Sequence, residues 1–413
     1  MKVTGIVAEY NPFHMGHRYQ LKEACEHYGS DANVIVMSGD FTQRGAPAVV
    51  DKYTRAKIAL ESGADLVLML PVTASTATAE HFADAAVSVL QHTDIVDQML
   101  FGAESDDISL FHTVSEVLVN EPETYTSLLK EELKSGVTFP VAREHALKKI
   151  LDIDEFFLST PNNILGIEYV KSIKRRNASF APIAMKRIGA SYHDASIPDD
   201  VASFASASAI RKVLKKGNPE AIQSILSDVL DSPMLTPLLE QVADNCILDR
   251  DDCSLLLHEK LIRTDDYSIY QDCSEELSNR IKNSRDQYLT WGQLNDLLKT
   301  KEMTYSRISR VLSHILLDLT KEDEELAKKK DIPYLRVLGF SKKGSALLSE
   351  LKKKCDIPVI YNPKDAEQVL DKDALYLFQK DIQAADLYRA ILTSKTGKLY
   401  KTEYTRKFDL VNI

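Results

Sequence analysis

Short unbroken apolar blocks alternate with helical periodicity through the first hundred residues. The blocks fall at Val3–Ala8, 32–37, 64–70 and 99–101, each the length of one buried strand. Between them, residues 18–27, 52–62 and 77–91 space their apolar side chains three and four apart, as a helix with one buried face requires. This alternation predicts a parallel sheet with helices on both faces. In such sheets a ligand sits beyond the carboxyl ends of the strands, where the strand order reverses. Every strand exit here is polar or carries glycine, at 9–16, 38–45, 71–73 and 102–104. Residues 105–176 are helical in pattern, and Pro161 opens a helix there as a first-turn proline. A further strand is expected at 181–185. From 220 to about 325 helical periodicity dominates, with Val311, Leu312, Ile315, Leu316 and Leu319 on one face. Beyond Ile332 the pattern is mixed, with strands at 334–340 and 358–361 around a helix at 345–354.

A chain of 413 residues allows two or three domains. The boundaries expected are 1–217, 218–330 and 331–413. A net charge of −10 argues against a generally sticky nucleic-acid binder but leaves room for a local basic face. Residues 328–354 hold nine Lys or Arg against two acids, a local excess of +7. Lys328, Lys329, Lys330, Lys342 and Lys343 are therefore candidate contacts to an RNA backbone; a solvated lysine-rich face is the plainer reading. Five cysteines without a CxxC pair suggest neither a disulfide framework nor a zinc site. The N-terminus does not read as a signal peptide, and the most apolar patch, 64–71, is too short to span a membrane. A cytoplasmic protein is expected.

The densest chemistry lies in Glu9-Tyr10-Asn11-Pro12-Phe13-His14-Met15-Gly16-His17, between the first strand and the first helix. Helix-start N–H groups attract an anion, and Gly16 permits close backbone approach. His14 and His17, three apart, can face the same phosphate oxygens. The plainer reading is a strand-to-helix turn with two surface histidines. At the second exit, Asp40 is placed to orient substrate or a metal-bound water and Gln43 or Arg44 to meet an anion, against a reading as a solvated loop. Later, Ser206-Ala207-Ser208-Ala209-Ile210-Arg211 puts hydroxyls, first-turn N–H groups and a guanidinium together, again suited to phosphate.

His14-Met15-Gly16-His17 resembles the HxGH signature of the HIGH-type nucleotidyltransferases, and the serine stretch resembles their second signature, with Ser208 where threonine is usual. The longer string from Glu9 to His14 resembles one branch, the tRNA(Met) cytidine acetate ligases. The resemblance spans essentially the full length. It implies an α/β fold, with a Rossmann-like parallel-sheet nucleotidyltransferase domain followed by a helical domain and a small mixed C-terminal region. It implies an ATP site built from Val7, Ala8, Glu9, Tyr10, Asn11, Pro12, Phe13, His14, Gly16, His17 and Gln20, with Gly102, Asn162, Arg187, Ser208 and Arg211. His14 and His17 would be the catalytic pair, stabilising charge electrostatically, and Mg²⁺ would bridge phosphates; no protein metal ligands are assigned. The reaction implied is activation of acetate as acetyl-adenylate, then acetylation of the wobble cytidine of elongator tRNA(Met) at N4. No membrane or DNA partner is expected. Two rivals stand beside it: a small-molecule adenylyltransferase of cofactor synthesis, and an RNA-binding protein that carries ATP without adenylating.

Overall fold

The computed structural model describes residues 1–188 and 204–406. Its strands are β1 (Val3–Ala8), β2 (Ala32–Ser38), β3 (Phe41–Thr42), β4 (Ala46–Pro47), β5 (Leu66–Leu70), β6 (Gln98–Ala103), β7 (Ala181–Lys186), β8 (Leu335–Phe340) and β9 (Val359–Ile360). Seven of them form one sheet in the order β7-β6-β1-β2-β5-β8-β9, while β3 and β4 make a short antiparallel ribbon. β1, β2, β5, β6 and β7 run parallel. The chain steps outward from β1 through β2 to β5, then returns to the other side of β1 for β6 and β7. The strand order therefore reverses between β1 and β6, and the crevice expected at that reversal opens there.

Residues of β2 and β5 are buried throughout, as strands covered on both faces must be. One face packs Val34, Val36, Leu66 and Leu68 against helices Ala79–Thr93 and Pro161–Arg176. The other packs Ile35, Met37 and Val67 against helix Lys52–Glu61 and the later helix Ser232–Ala243. A separate core forms the helical region, built around Trp291, Leu312 and Ile315.

The C-terminal strands depart from the expectation of a small region of their own. β8 pairs antiparallel with β5, and β9 pairs parallel with β8, so both extend the N-terminal sheet. The 25-residue helix Lys372–Thr396 was not legible in the sequence. It packs Phe378 and Ile382 near Tyr334 and Ile360, and its later Tyr388, Ile391 and Leu392 into the helical core. No helix among the described residues is long and apolar enough to cross a membrane.

Candidate active site

The loop after β1 turns sharply, with Tyr10 at φ +48° and a cis bond between Asn11 and Pro12. Helix Met15–Glu26 then begins with His14 as its N-cap. His14 Nδ1 accepts from the Gly16 amide at 3.1 Å, and His17 Nδ1 accepts from the His14 amide at 3.2 Å. This reciprocal cap has a chemical consequence. Each Nδ1 lone pair is occupied, so the proton of each neutral imidazole sits on Nε2. The two rings stack with centroids 3.8 Å apart. Burial, with Arg187 and Arg211 nearby, lowers the His14 pKa to about 3, and burial followed by His14 and Arg187 lowers that of His17 well below its ordinary value. Both are therefore neutral N–H donors at physiological pH. Gly16 has a second use beyond backbone approach, because a Cβ there would meet the His14 ring at 3.0 Å.

Helix Ala207–Leu214 faces this loop, capped by Ser206, whose hydroxyl accepts from the Ala209 amide. Arg211 donates to the Asn11 carbonyl at 2.6 Å and to Ser208 Oγ at 3.0 Å, joining the two signatures directly. Burial, with the Arg44 guanidinium close by, lowers the Arg211 pKa to about 10. Cations crowd this cleft.

A cavity of about 310 Å³ lies between the two motifs, lined among others by His14, His17, Gly102, Asn162, Arg187 and Arg211. Val7, Ala8, Glu9, Tyr10, Asn11, Gly16, Gln20, Arg44 and Ser208 line it too, so most of the expected site comes together. Gln20 donates to the Leu100 carbonyl, tying the first helix to β6. Asn162 donates to Glu104 Oε1 at 2.6 Å; its neighbour Asn163 is wholly buried and accepts from the Glu104 and Ser105 amides, a structural role. The Arg187 side chain crosses Gly102, where a Cβ would meet it at 3.3 Å.

Several expected residues lie elsewhere. Phe13 is fully buried in the core beneath the loop, and Pro12 does not line the cavity. Asp40 does not line the cavity. Its carboxylate accepts from the Lys52 amide at 2.9 Å and from Lys52 Nζ at 2.5 Å, and Lys52 also pairs with Glu403 at 2.9 Å. The lysines stand apart from the cavity as well. Lys343 Nζ donates to the Asp31 carbonyl and the Ser341 amide to that of Asp65, at the amino ends of β2 and β5, opposite the crevice. Lys342 lies beside them. Lys328 pairs with Glu324 and Lys330 with Asp371, which leaves Lys329 as a plain exposed residue of that helix.

Gln43 lines the cavity from the ribbon beside Arg44, as the second exit led one to expect, while Tyr169, Phe204, Lys215 and Arg250 are walls that no local pattern announced. Arg250 donates to the Tyr305 hydroxyl at 2.6 Å, so the helical region closes one side. No cluster of three or more His, Cys, Asp or Glu suited to a metal ion occurs among the described residues.

A family model described as HIGH Nucleotidyl Transferase matches residues 1–403. The tRNA(Met) cytidine acetate ligase of Acetivibrio thermocellus is 39% identical over 396 residues, covering 94% of each chain. That of Thermosipho melanesiensis is 36% identical, covering 98% of each. Among solved structures, apo Thermotoga maritima TmcAL matches with a TM-score of 0.93 at 32% identity over the whole of both chains. The same protein bound with alpha-thio ATP matches at 0.91.

Proposed function

The chain belongs to the HIGH nucleotidyl transferase family, and we propose that it performs the reaction for which its relatives are named, ligation of acetate to a cytidine of tRNA(Met). It is an ATP-dependent ligase. An acetate oxygen attacks the α-phosphorus of ATP, the bond to the β-phosphate breaks, and pyrophosphate leaves. The N4 amine of the wobble cytidine in elongator tRNA(Met) then attacks the acetyl carbonyl of acetyl-adenylate. The acyl–phosphate bond breaks, AMP departs, and the amine sheds a proton to give N4-acetylcytidine.

One observation carries the assignment of roles: two neutral histidines with their Nε2 protons free of the cap, opposite Ser208 and Arg211 across a cavity of nucleotide size. His14 and His17 donate to phosphate oxygens as negative charge grows there, an electrostatic role without proton transfer. Arg211, Ser208 and the helix start behind them hold the outer phosphates, and Arg187 adds charge beside Gly102. The base and ribose lie against Gly102 and Asn162. Among the described residues, Glu9 and Asp249 are the carboxylates lining the cavity, too sparse a set to hold a cation by themselves, so Mg²⁺ would enter with the nucleotide and supply charge neutralisation there. Bringing the walls together around acetyl-adenylate keeps water from the anhydride.

The decisive experiment is exchange of labelled pyrophosphate into ATP, with and without acetate and first without tRNA. Acetate-dependent exchange is the expected result. No exchange even with acetate and tRNA(Met) together would end the carboxylate-activation reading.

A further inference from the structure

Arg55 takes no part in the steps above, yet its surroundings are not those of a packing residue. It lies in helix Lys52–Glu61 with no exposed surface. Its fork reaches main-chain oxygens: Nε donates to Val50 O at 3.1 Å, Nη1 to Glu9 O at 2.7 Å and Ser38 O at 3.1 Å, and Nη2 to Gly39 O. Taking a guanidinium out of water costs several kcal/mol before compensation. A leucine or methionine would fill this volume without that cost. What the charge secures is therefore specific to the oxygens it gathers.

Three of those oxygens, on Glu9, Ser38 and Gly39, lie at the exits of β1 and β2, the two strands whose loops form the histidine motif and the β3–β4 ribbon. Glu9 is held at both ends. Its carbonyl is bound by Arg55, and its carboxylate accepts from the Gln43 amide of the ribbon at 2.7 Å. A single planar cation thus fixes the residue that joins the two walls of the cavity. Lys52, one turn earlier on the same helix, anchors the base of the ribbon through Asp40.

We propose that Arg55 is a positioning residue for adenylation: its fork holds the ends of β1 and β2 in register, so that His14 and His17 face the ribbon at the spacing the transition state needs. It touches neither nucleotide nor acetate, and the inference rests on the adenylating function above. Lysine cannot substitute, because one ammonium cannot meet carbonyls from three segments in a plane.

The test compares Arg55→Lys and Arg55→Gln with Leu60→Ala, a core truncation on the same helix. Three quantities are read: ATP-binding stoichiometry, ATP affinity, and acetate-dependent exchange per ATP-binding site. With the histidine loop displaced by a fraction of an ångström, Arg55→Lys is expected to keep ATP affinity within about threefold and lose about 100-fold in per-site rate. Leu60→Ala should lose melting temperature and keep its per-site rate. A per-site rate for Arg55→Lys within about threefold of the parent overturns the inference. So does failure of both variants to form ATP-binding sites, which would make Arg55 a folding residue. A parent protein that shows no exchange even with acetate and tRNA(Met) together sinks the ligase reading instead, and this inference with it.

Discussion

At the scale of single residues, the reciprocal cap on the first helix makes two histidines do unusual work. An N-cap is ordinarily serine, threonine or aspartate, which satisfy the first amides and nothing more. Here imidazoles do so through Nδ1 and keep a proton on Nε2 for the substrate. His17→Ala is expected to lower acetate-dependent exchange by about 10²- to 10³-fold, with tRNA affinity in a filter-binding assay little changed. The same burial has a signature in stability. His14 falls from 6.5 in the unfolded chain to about 3 when folded, so below pH 6.5 the unfolded state binds more protons. Stability from this group is complete above pH 6.5 and is lost as pH falls toward 3; at pH 5 the loss is on the order of 2 kcal/mol. His14→Asn keeps a cap oxygen but cannot titrate, so its melting temperature should drop less than the parent's between pH 7 and pH 5. Asp381 works in the opposite sense. Burial raises its pKa from 3.8 to about 6, and its contribution is lost as pH rises through that value. It is present in both chains and cancels in the comparison.

At the scale of elements, the ribbon is the least forgiving part of the crevice. Gly45 at its tip has φ +64°, and a Cβ there would lie 2.3 Å from the backbone of Ser309 and Arg310. Ser309 also donates to the Gly45 carbonyl at 2.6 Å. Gly45→Ala should therefore cost about 3 kcal/mol or more in urea unfolding, since neither backbone can yield cheaply. Because Gln43 and Arg44 line the cavity from that ribbon, the substrate KM should rise with it. Strands β1, β2, β5 and β6 and the three long helices among them were legible because their apolar blocks have the right length and period; the two-residue strands of the ribbon are too short to carry such a pattern. What faces what was less so. Phe13 and Asp40 sit in loops that the sequence places at the crevice, yet one anchors the loop to the core and the other pairs with Lys52. A local pattern shows that a residue is at an exit, not which way its side chain turns. The pairing of β8 with β5 was hidden for a related reason: strand partnership is set by the packing of Leu347 and Leu351 over the sheet, far along the chain.

At the scale of the whole molecule, Lys342 and Lys343 lie at the amino ends of the strands and the reaction site at their carboxyl ends. Lys342→Glu combined with Lys343→Glu is expected to leave tRNA affinity within about threefold at fixed salt, because these lysines are remote from the crevice mouth. A large loss would place the RNA across the far edge instead. The buried array Asp40–Lys52–Glu403–Arg336 ties the crevice to Arg336 and to Glu403, the latter 351 positions after Lys52. Glu403→Ala leaves Lys52 and Arg336 sharing one acid fewer, at a cost of about 3–5 kcal/mol by calorimetry or denaturant. That array also bears on how the protein is made. While the ribosome is still synthesising the helical region, the nucleotide-binding sheet lacks β8 along its β5 edge, and Lys52 lacks one of its two acids. The base of the ribbon is fully anchored only once residue 403 has cleared the exit tunnel.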